Sequence, residues 1–174
     1  EKSMQQGKRE KVNVLFVCTG NTCRSPMAEQ IFSEYLRRNK CASMADVSSA
    51  GVYADNGRPM QPEAVGALSE MDLTIRPHKS RRVTVDILQN ADVIVCMSEE
   101  NREELLHSAA YGFAASDGNF RIVGTAGELI GEDVPDPYGR GMDAYRRTAE
   151  LLVRLCAPLE AAVRKFQAEH KLEL

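Results

Sequence analysis

An α/β fold built on a parallel sheet, with helices against both faces, is the class this sequence predicts. Two observations carry the prediction. Short apolar runs near residues 12–17, 45–50, 91–97 and 120–123 alternate with segments of helical periodicity, the order expected of β-α-β crossovers. The first run, VNVLFV, is apolar at every position except Asn13, and ADVIVCM at 91–97 is nearly so. Strands buried on both faces look like this, because neither face keeps a polar register.

The elements follow in order. After the strand at 12–17, a helix is expected from about residue 25 to 39, with Met27, Ala28, Ile31, Phe32, Tyr35 and Leu36 on one face. Ser25 as N-cap and Pro26 at the first helical position are its start signals. A weaker strand at 45–50 ends at Gly51, and a helix from 62 to 71 places Ala64, Val65, Leu68 and Met71 at helical spacing. A short helix is predicted at 83–88, before the strand at 91–97. Ser98 caps the next helix, with Glu99 and Glu100 in its first turn, where acidic groups favour the helix dipole. The fourth strand is expected at 120–123. A loop rich in Gly, Asp and Pro then covers 124–141. The last helix runs from about 143 to 168, burying Tyr145, Leu152, Cys156, Leu159, Val163 and Phe166. Pro158 removes a backbone donor, so a kink or break is expected at 154–158.

Residues 12–29, VNVLFVCTGNTCRSPMAE, carry the chemistry. A Cys stands where the strand ends, and a short loop containing Gly20 can turn its N–H groups inward around an anion. Arg24 closes the loop with a planar fork suited to phosphate oxygens. The following helix points its positive end at the same place. These features also favour a thiolate over a thiol, which makes Cys18 a candidate nucleophile. Taken singly, a Cys after a strand is an ordinary small core residue and an Arg opening a helix is an ordinary surface residue. The combination is much rarer. It is neither the Gly-x4-Gly-Lys-Ser/Thr nucleotide loop nor the Gly-x-Gly-x-x-Gly fingerprint. In a parallel sheet the ligand lies at the carboxyl ends of the strands near the switch in strand order, and the first strand leads straight into this loop.

Composition bounds the alternatives. The 174 residues are 43% hydrophobic and 27% charged, sufficient for one domain with a real core. The formal net charge of -3, with no dominant basic run, argues against nucleic acid or an acidic membrane surface as a partner. Residues 1–11, EKSMQQGKREK, lack the apolar stretch of a signal peptide and read as a disordered extension or expression remnant. The folded domain is expected at 12–168, with a tail at 169–174. No segment reaches the ~18 apolar residues of a membrane span. Cys18, Cys23, Cys41, Cys96 and Cys156 are odd in number and scattered. That suits a reducing cytoplasm and lacks the paired spacing of a zinc site. Cys18 and Cys23 share one loop and form a candidate redox pair.

CTGNTCRSPMAE resembles the active-site loop of the low-molecular-weight protein tyrosine phosphatases. SSAGV at 48–52, RPHKSRR at 76–82 and DPYGRGMDAYRRT at 136–148 fall in that family's order and spacing, so the resemblance covers residues 12 to 166. It implies a four-stranded flavodoxin-like parallel sheet and a phosphoprotein phosphatase needing neither metal nor cofactor. Cys18 would attack phosphorus while Arg24 and the amides of Thr19, Gly20, Asn21, Thr22, Cys23 and Ser25 hold the oxygens. Asp136 would protonate the leaving atom and then activate water; it needs a proton in the Michaelis complex, which a doubly charged phosphoryl group beside it favours. By the same resemblance Ser25 donates a hydrogen bond to the Cys18 sulfur, and Asn21, Ser49 and His78 hold the loop in shape. Cys23 would form a reversible disulfide with the nucleophile. Cys41, Cys96 and Cys156 read as core residues.

Thr22 is the informative departure. Tyrosine-directed members usually have an aliphatic residue there, whereas the bacterial protein-arginine phosphatases resemble this chain in the same CTGNTCRS string. Tyr138 is followed by Gly139 rather than a second aromatic, which suits a slimmer substrate stem. Phosphoarginine is therefore expected ahead of phosphotyrosine. Thiol-coupled arsenate reductases share the fold but need a further pair of cysteines, and only Cys96 lies between Arg81 and Leu106. A non-catalytic phosphopeptide-binding module could dispense with Cys18 or Asp136, yet both are present.

Overall fold

The computed structural model describes residues 11–171, so the extension expected at 1–11 lies outside the described residues except for Lys11. The elements are β1 (Val12–Cys18), α1 (Arg24–Arg38), β2 (Ala45–Gly51), α2 (Pro62–Ser69), α3 (Val85–Asn90), β3 (Val93–Cys96), α4 (Glu99–Leu106), α5 (Ala109–Ala115), β4 (Ile122–Thr125), α6 (Ala126–Ile130) and α7 (Met142–Phe166). All strand pairs are parallel, in the order β2-β1-β3-β4. β1 pairs with β2 along its whole length, Val12 opposite Ala45 to Cys18 opposite Gly51, and with β3 from Val14 opposite Val93 to Val17 opposite Cys96. The chain thus turns to one side of β1 and then to the other. The gap at its carboxyl end is where such sheets hold ligands.

The continuous apolar character of β1 hides a period of two. Val12, Val14, Phe16 and Cys18 join one core with α1, α2 and α7, whereas Leu15 and Val17 join a second with Leu88, Leu105 and Ala114 of α3, α4 and α5. Both faces are covered, so no alternation survives in the sequence. The predicted stripe of α1 is confirmed: Met27, Ala28, Ile31, Phe32 and Leu36 are buried and Tyr35 packs against them.

Several boundaries differ from expectation. α1 begins at Arg24 with Cys23 in the cap position and no side-chain cap; Ser25 is not the N-cap, because its hydroxyl turns toward the preceding loop. The helix expected at 83–88 starts at Val85, where the Thr84 hydroxyl accepts from Ile87 N–H at 3.2 Å. The fourth strand lies two residues later than expected, with Phe120 62% exposed and stacked on His170 instead. The 124–141 loop contains α6, capped by Thr125 and closed by Gly131 at φ 85°. Glycines at 124, 127 and 131 read as loop signals but here bracket a helical turn. α5 follows Ser108, whose hydroxyl accepts from Tyr111 N–H; its AAYGFAA sequence shows no clear period.

α7 is unbroken from Met142 to Phe166 with Pro158 inside it, so the expected break is absent. Leu151, Leu152 and Leu155 before the proline and Leu159, Val163 and Phe166 after it are all buried. This packing offsets the one backbone bond that proline forfeits. A π-helical segment, Gln167–Lys171, continues the chain where a tail was expected from 169. Leu152 is 1% exposed in the core shared with α1, and Leu152→Ala should cost about 2–5 kcal/mol. Urea unfolding measures this; a loss below ~1 kcal/mol would show that α7 does not anchor this core.

Candidate active site

β1 delivers Cys18 to the carboxyl edge of the sheet, and residues 19–23 cross that edge to α1. Cys18, Asn21, Arg24 and Ser25 are all buried, at 2%, 0%, 5% and 0% exposure. The loop turns at Asn21, whose φ of 58° is left-handed, a region that Asn tolerates better than most residues. The turn brings the Asn21 N–H back onto Cys18 Sγ at 3.3 Å. Ser25 Oγ lies 2.9 Å from the same sulfur. That hydroxyl already accepts from Asn21 Nδ2 at 2.8 Å, which leaves its own hydrogen for the sulfur; Ala50 O is farther, at 3.4 Å.

The Asn21 amide is shared. Nδ2 also donates to Ser49 Oγ at 3.0 Å, and Oδ1 accepts from Arg81 N–H at 2.9 Å. The Asn21 carbonyl lies 2.7 Å from His78 Nε2. A carbonyl only accepts, so Nε2 carries the proton. Ser49 and His78, 28 and 57 residues from Asn21, therefore meet Asn21 and Ser25 at one turn. Arg81 joins them through Nε, which donates to Ser49 O at 2.8 Å; its place inside RPHKSRR carries no local signal of this role.

The rest of the loop is pinned from outside. Thr19 O accepts from Tyr53 N–H at 3.0 Å and Thr19 Oγ1 from Asn101 Nδ2 at 3.0 Å. Thr22 O accepts from Gln61 N–H at 2.9 Å, while its side chain stays partly exposed at the rim. The glycine that packing demands is Gly51. A Cβ there would sit 2.5 Å from Thr19 O and 2.9 Å from Asn21 N, whereas one on Gly20 would meet nothing nearer than 3.9 Å. Among the described residues, no acceptor meets the N–H groups of residues 22–25, and α1 has no side-chain cap or acidic residue in its first turn. The loop and helix end thus leave donors free to surround an anion.

Arg24 extends to the other side of the site, where NH1 donates to Val134 O at 3.1 Å. Val134 N–H in turn donates to Met97 O at 2.9 Å, so the guanidinium and the end of β3 both hold the strand of chain that leads to Asp136. Asp136 is exposed, and its Oδ1 accepts from Tyr138 N–H at 3.1 Å. Cys23 is buried and points away from solvent toward α7, with Sγ 3.3 Å from Tyr145 OH. Burial is the main influence raising the Cys23 pKa, and the negative charge of Asp136 adds to it. Burial likewise raises the Tyr145 hydroxyl above its ordinary range. Burial pushes the Cys96 and Cys156 thiols up to about 12, in keeping with core residues. Asn101 and the hydroxyl of Tyr145 had no signal of their own: one follows a helix cap and the other lies in a core stripe.

The profile of the low molecular weight phosphotyrosine protein phosphatases matches residues 13–169. A protein-arginine-phosphatase of Bacillus subtilis is 31% identical over 163 residues, covering 88% of this chain and 98% of that protein. The low molecular weight protein-tyrosine-phosphatase PtpB of Staphylococcus haemolyticus is 33% identical over 150 residues, covering 85% and 97%. Among solved structures, a YwlE mutant from Bacillus subtilis superposes with a TM-score of 0.75 at 31% identity, covering 88% of this chain and 99% of that one.

The close approach at Gly51 makes a direct test of the loop. Gly51→Ala should retain the fold by circular dichroism yet lower kcat/KM for a chromogenic aryl phosphate by about 10-fold or more, because Thr19 and Asn21 must both shift. Unchanged kinetics would show that the loop does not depend on this contact.

Proposed function

The chain belongs to the low molecular weight phosphotyrosine protein phosphatase family, and from that membership we propose how its residues divide the work of a metal-independent, two-step phosphoryl transfer. Cys18 Sγ attacks phosphorus, and the bond to the leaving nitrogen or oxygen breaks as Asp136 supplies that atom with a proton. Asp136 then takes a proton from water, which attacks the phosphocysteine, releasing inorganic phosphate and the thiolate. Arg24 and the free amides of the loop stabilise the charge on the three equatorial oxygens, the service a metal ion performs elsewhere. Ser25 Oγ, 2.9 Å from the sulfur, eases departure of the thiolate in the second step. Ser49 and His78 hold Asn21, and so hold the donors that face the sulfur.

The observation that carries the mechanism is the convergence of Ser25 and the Asn21 N–H on a buried sulfur beside unpaired helix-end amides. Arg24 supports the placement of Asp136, since it grips Val134 two residues upstream. Cys23 is the proposed resolving thiol. Peroxide oxidises the Cys18 thiolate to a sulfenic acid with loss of hydroxide, and the Cys23 sulfur displaces water from it to form the disulfide. The five free cysteines among the described residues support a reducing cytoplasm as the working compartment.

Phosphorylated arginine side chains of proteins are the proposed substrate. Thr22 supports this choice: the residue is partly exposed and its hydroxyl, 3.9 Å from Cys23 Sγ, is a polar group for which a guanidinium offers N–H donors and a phenyl ring offers none. The Bacillus subtilis relative is named for the same activity. Phosphotyrosine is the second reading, supported by the ring of Tyr138, which is 66% exposed beside Asp136.

Asp136→Asn should depress turnover of aryl phosphates with basic leaving groups by about 10²–10⁴-fold while sparing activated ones. A uniform small loss across leaving groups of differing basicity would reduce Asp136 to a turn residue. Thr22→Ile should shift the ratio of phosphoarginine to phosphotyrosine turnover toward tyrosine by about 10–200-fold. Should the wild-type protein already prefer phosphotyrosine peptides, or the ratio stay fixed, the arginine assignment fails.

A further inference from the structure

A groove of about 560 Å³ opens beside the loop and has no part in the chemistry above. Tyr53 and Arg82 form one wall, and Glu103, Glu104, His107 and Ala109 at the end of α4 and start of α5 form the other. The groove adjoins the Thr19 side of the loop. Tyr53 N–H donates to Thr19 O, while the Asn101 amide that donates to Thr19 Oγ1 also reaches Glu104 Oε1 at 3.5 Å. From the start of α4 to His107 the helix advances about 12 Å, a distance an extended peptide covers in about three or four residues.

The α4 wall carries carboxylates that meet no cationic side chain, although Glu104 Oε1 takes one long bond from Asn101. Among the described residues, Glu103 and Glu104 have no ion-pair partner, although Glu99 on the same helix pairs with Arg102. Asn101, 1% exposed, lies behind this wall rather than on it, and holds Glu104 through its amide nitrogen. Burial raises the Glu104 carboxyl above its ordinary range and Glu100 adds to the effect, opposed by the bond from Asn101 and by the charge of Arg24. The groove's own basic side chains are held against its walls by contacts other than the two carboxylates. The Arg82 guanidinium lies over the Tyr53 ring at 5.9 Å, and His107 Nδ1 lies 2.8 Å from the Glu103 carbonyl. A guest here is asked for positive charge and N–H donors. The exposed Tyr53 ring, with Arg82 over it, offers the aliphatic stem of such a guest a surface.

We propose that this groove is a substrate subsite for a basic side chain, lysine or arginine, lying within about four residues of the phosphorylated one on the substrate chain. The subsite rests on the reading of phosphorylated proteins as substrates, and on neither phosphoamino acid in particular. The test is a set of phosphoarginine and phosphotyrosine peptides in which Lys, Ala or Glu is scanned over the four positions on either side. Lys at one or two positions should raise kcat/KM about 3–10-fold over Ala, Glu should lower it, and the preference should shrink with added salt.

Glu103→Lys, which reverses an exposed charge, and Ala109→Trp, which fills the groove, should each erase the preference while turnover of a small aryl phosphate stays unchanged. Binding of the same peptides to the Cys18→Ser protein, read by fluorescence polarisation, reports on the groove whether or not a given peptide is hydrolysed. A Lys preference seen with phosphotyrosine peptides alone upholds the subsite and removes the arginine assignment. A flat scan in the binding measurement, or a preference that survives both substitutions, overturns the subsite.

Discussion

The left-handed turn at Asn21 is the constraint on which the site depends. A side chain at φ 58° carries a conformational cost of about 1 kcal/mol, and five polar contacts hold it there. Its amide bonds Ser25, Ser49 and the Arg81 backbone, its carbonyl meets His78, and its N–H faces Cys18. Release of that turn would withdraw the N–H from the sulfur and let Ser25 rotate. The partners come from β1, α1, β2 and the segment at 78–81, so the turn forms only when the sheet has brought those segments together.

The sheet does so by placing β1 between β2 and β3. β2 carries Ser49 and then Gly51, whose lack of a side chain lets the backbone pass within contact of the loop. β3 leads through Met97 to the anchored Val134, so the proposed acid segment is held by the opposite neighbour. The proposed nucleophile on a central strand and the proposed acid on the far side of the loop thus become parts of one frame. Arg24 links the two directly, since its guanidinium bonds Val134 while its backbone opens α1.

α1 leaves its own first turn uncapped. Ser25 would ordinarily serve the helix; here its hydroxyl is committed to Asn21 and the sulfur. Cap replacement experiments elsewhere put the loss at about 0.5–2 kcal/mol. Burial of Met27, Ile31, Phe32 and Leu36 against the sheet and α7 offsets it. The amides left open are those an anion would occupy, so local instability and binding capacity have the same origin. Cys23 stands at the same boundary, but its sulfur turns to Tyr145 on α7, which ties the loop to the helix that closes the core.

Much of this protein was legible along the chain. Continuous apolar runs marked β1 and β3 because burial on two faces removes the polar alternation, and the stripes of α1 and α7 marked their inner sides. The Cys18–Arg24 loop could be read because its order repeats the demands of anion binding over seven adjacent residues. What remained hidden depended on partners distant in sequence. Ser25 reads as a cap until the sulfur and Asn21 claim its hydroxyl, and α6 reads as loop until Thr125 and Gly131 bound it. Pro158 reads as a break until the buried side chains on both sides of it hold α7 together. Arg81, Asn101 and Tyr145 lie 60, 82 and 122 residues from the Asn21, Thr19 and Cys23 to which they bond. Local pattern determined the strands, the helices and the loop's chemistry, because those follow from near neighbours and from the solvent each face meets. The shape of the site was decided by hydrogen bonds between remote segments, which exist only once the parallel sheet has closed the distance.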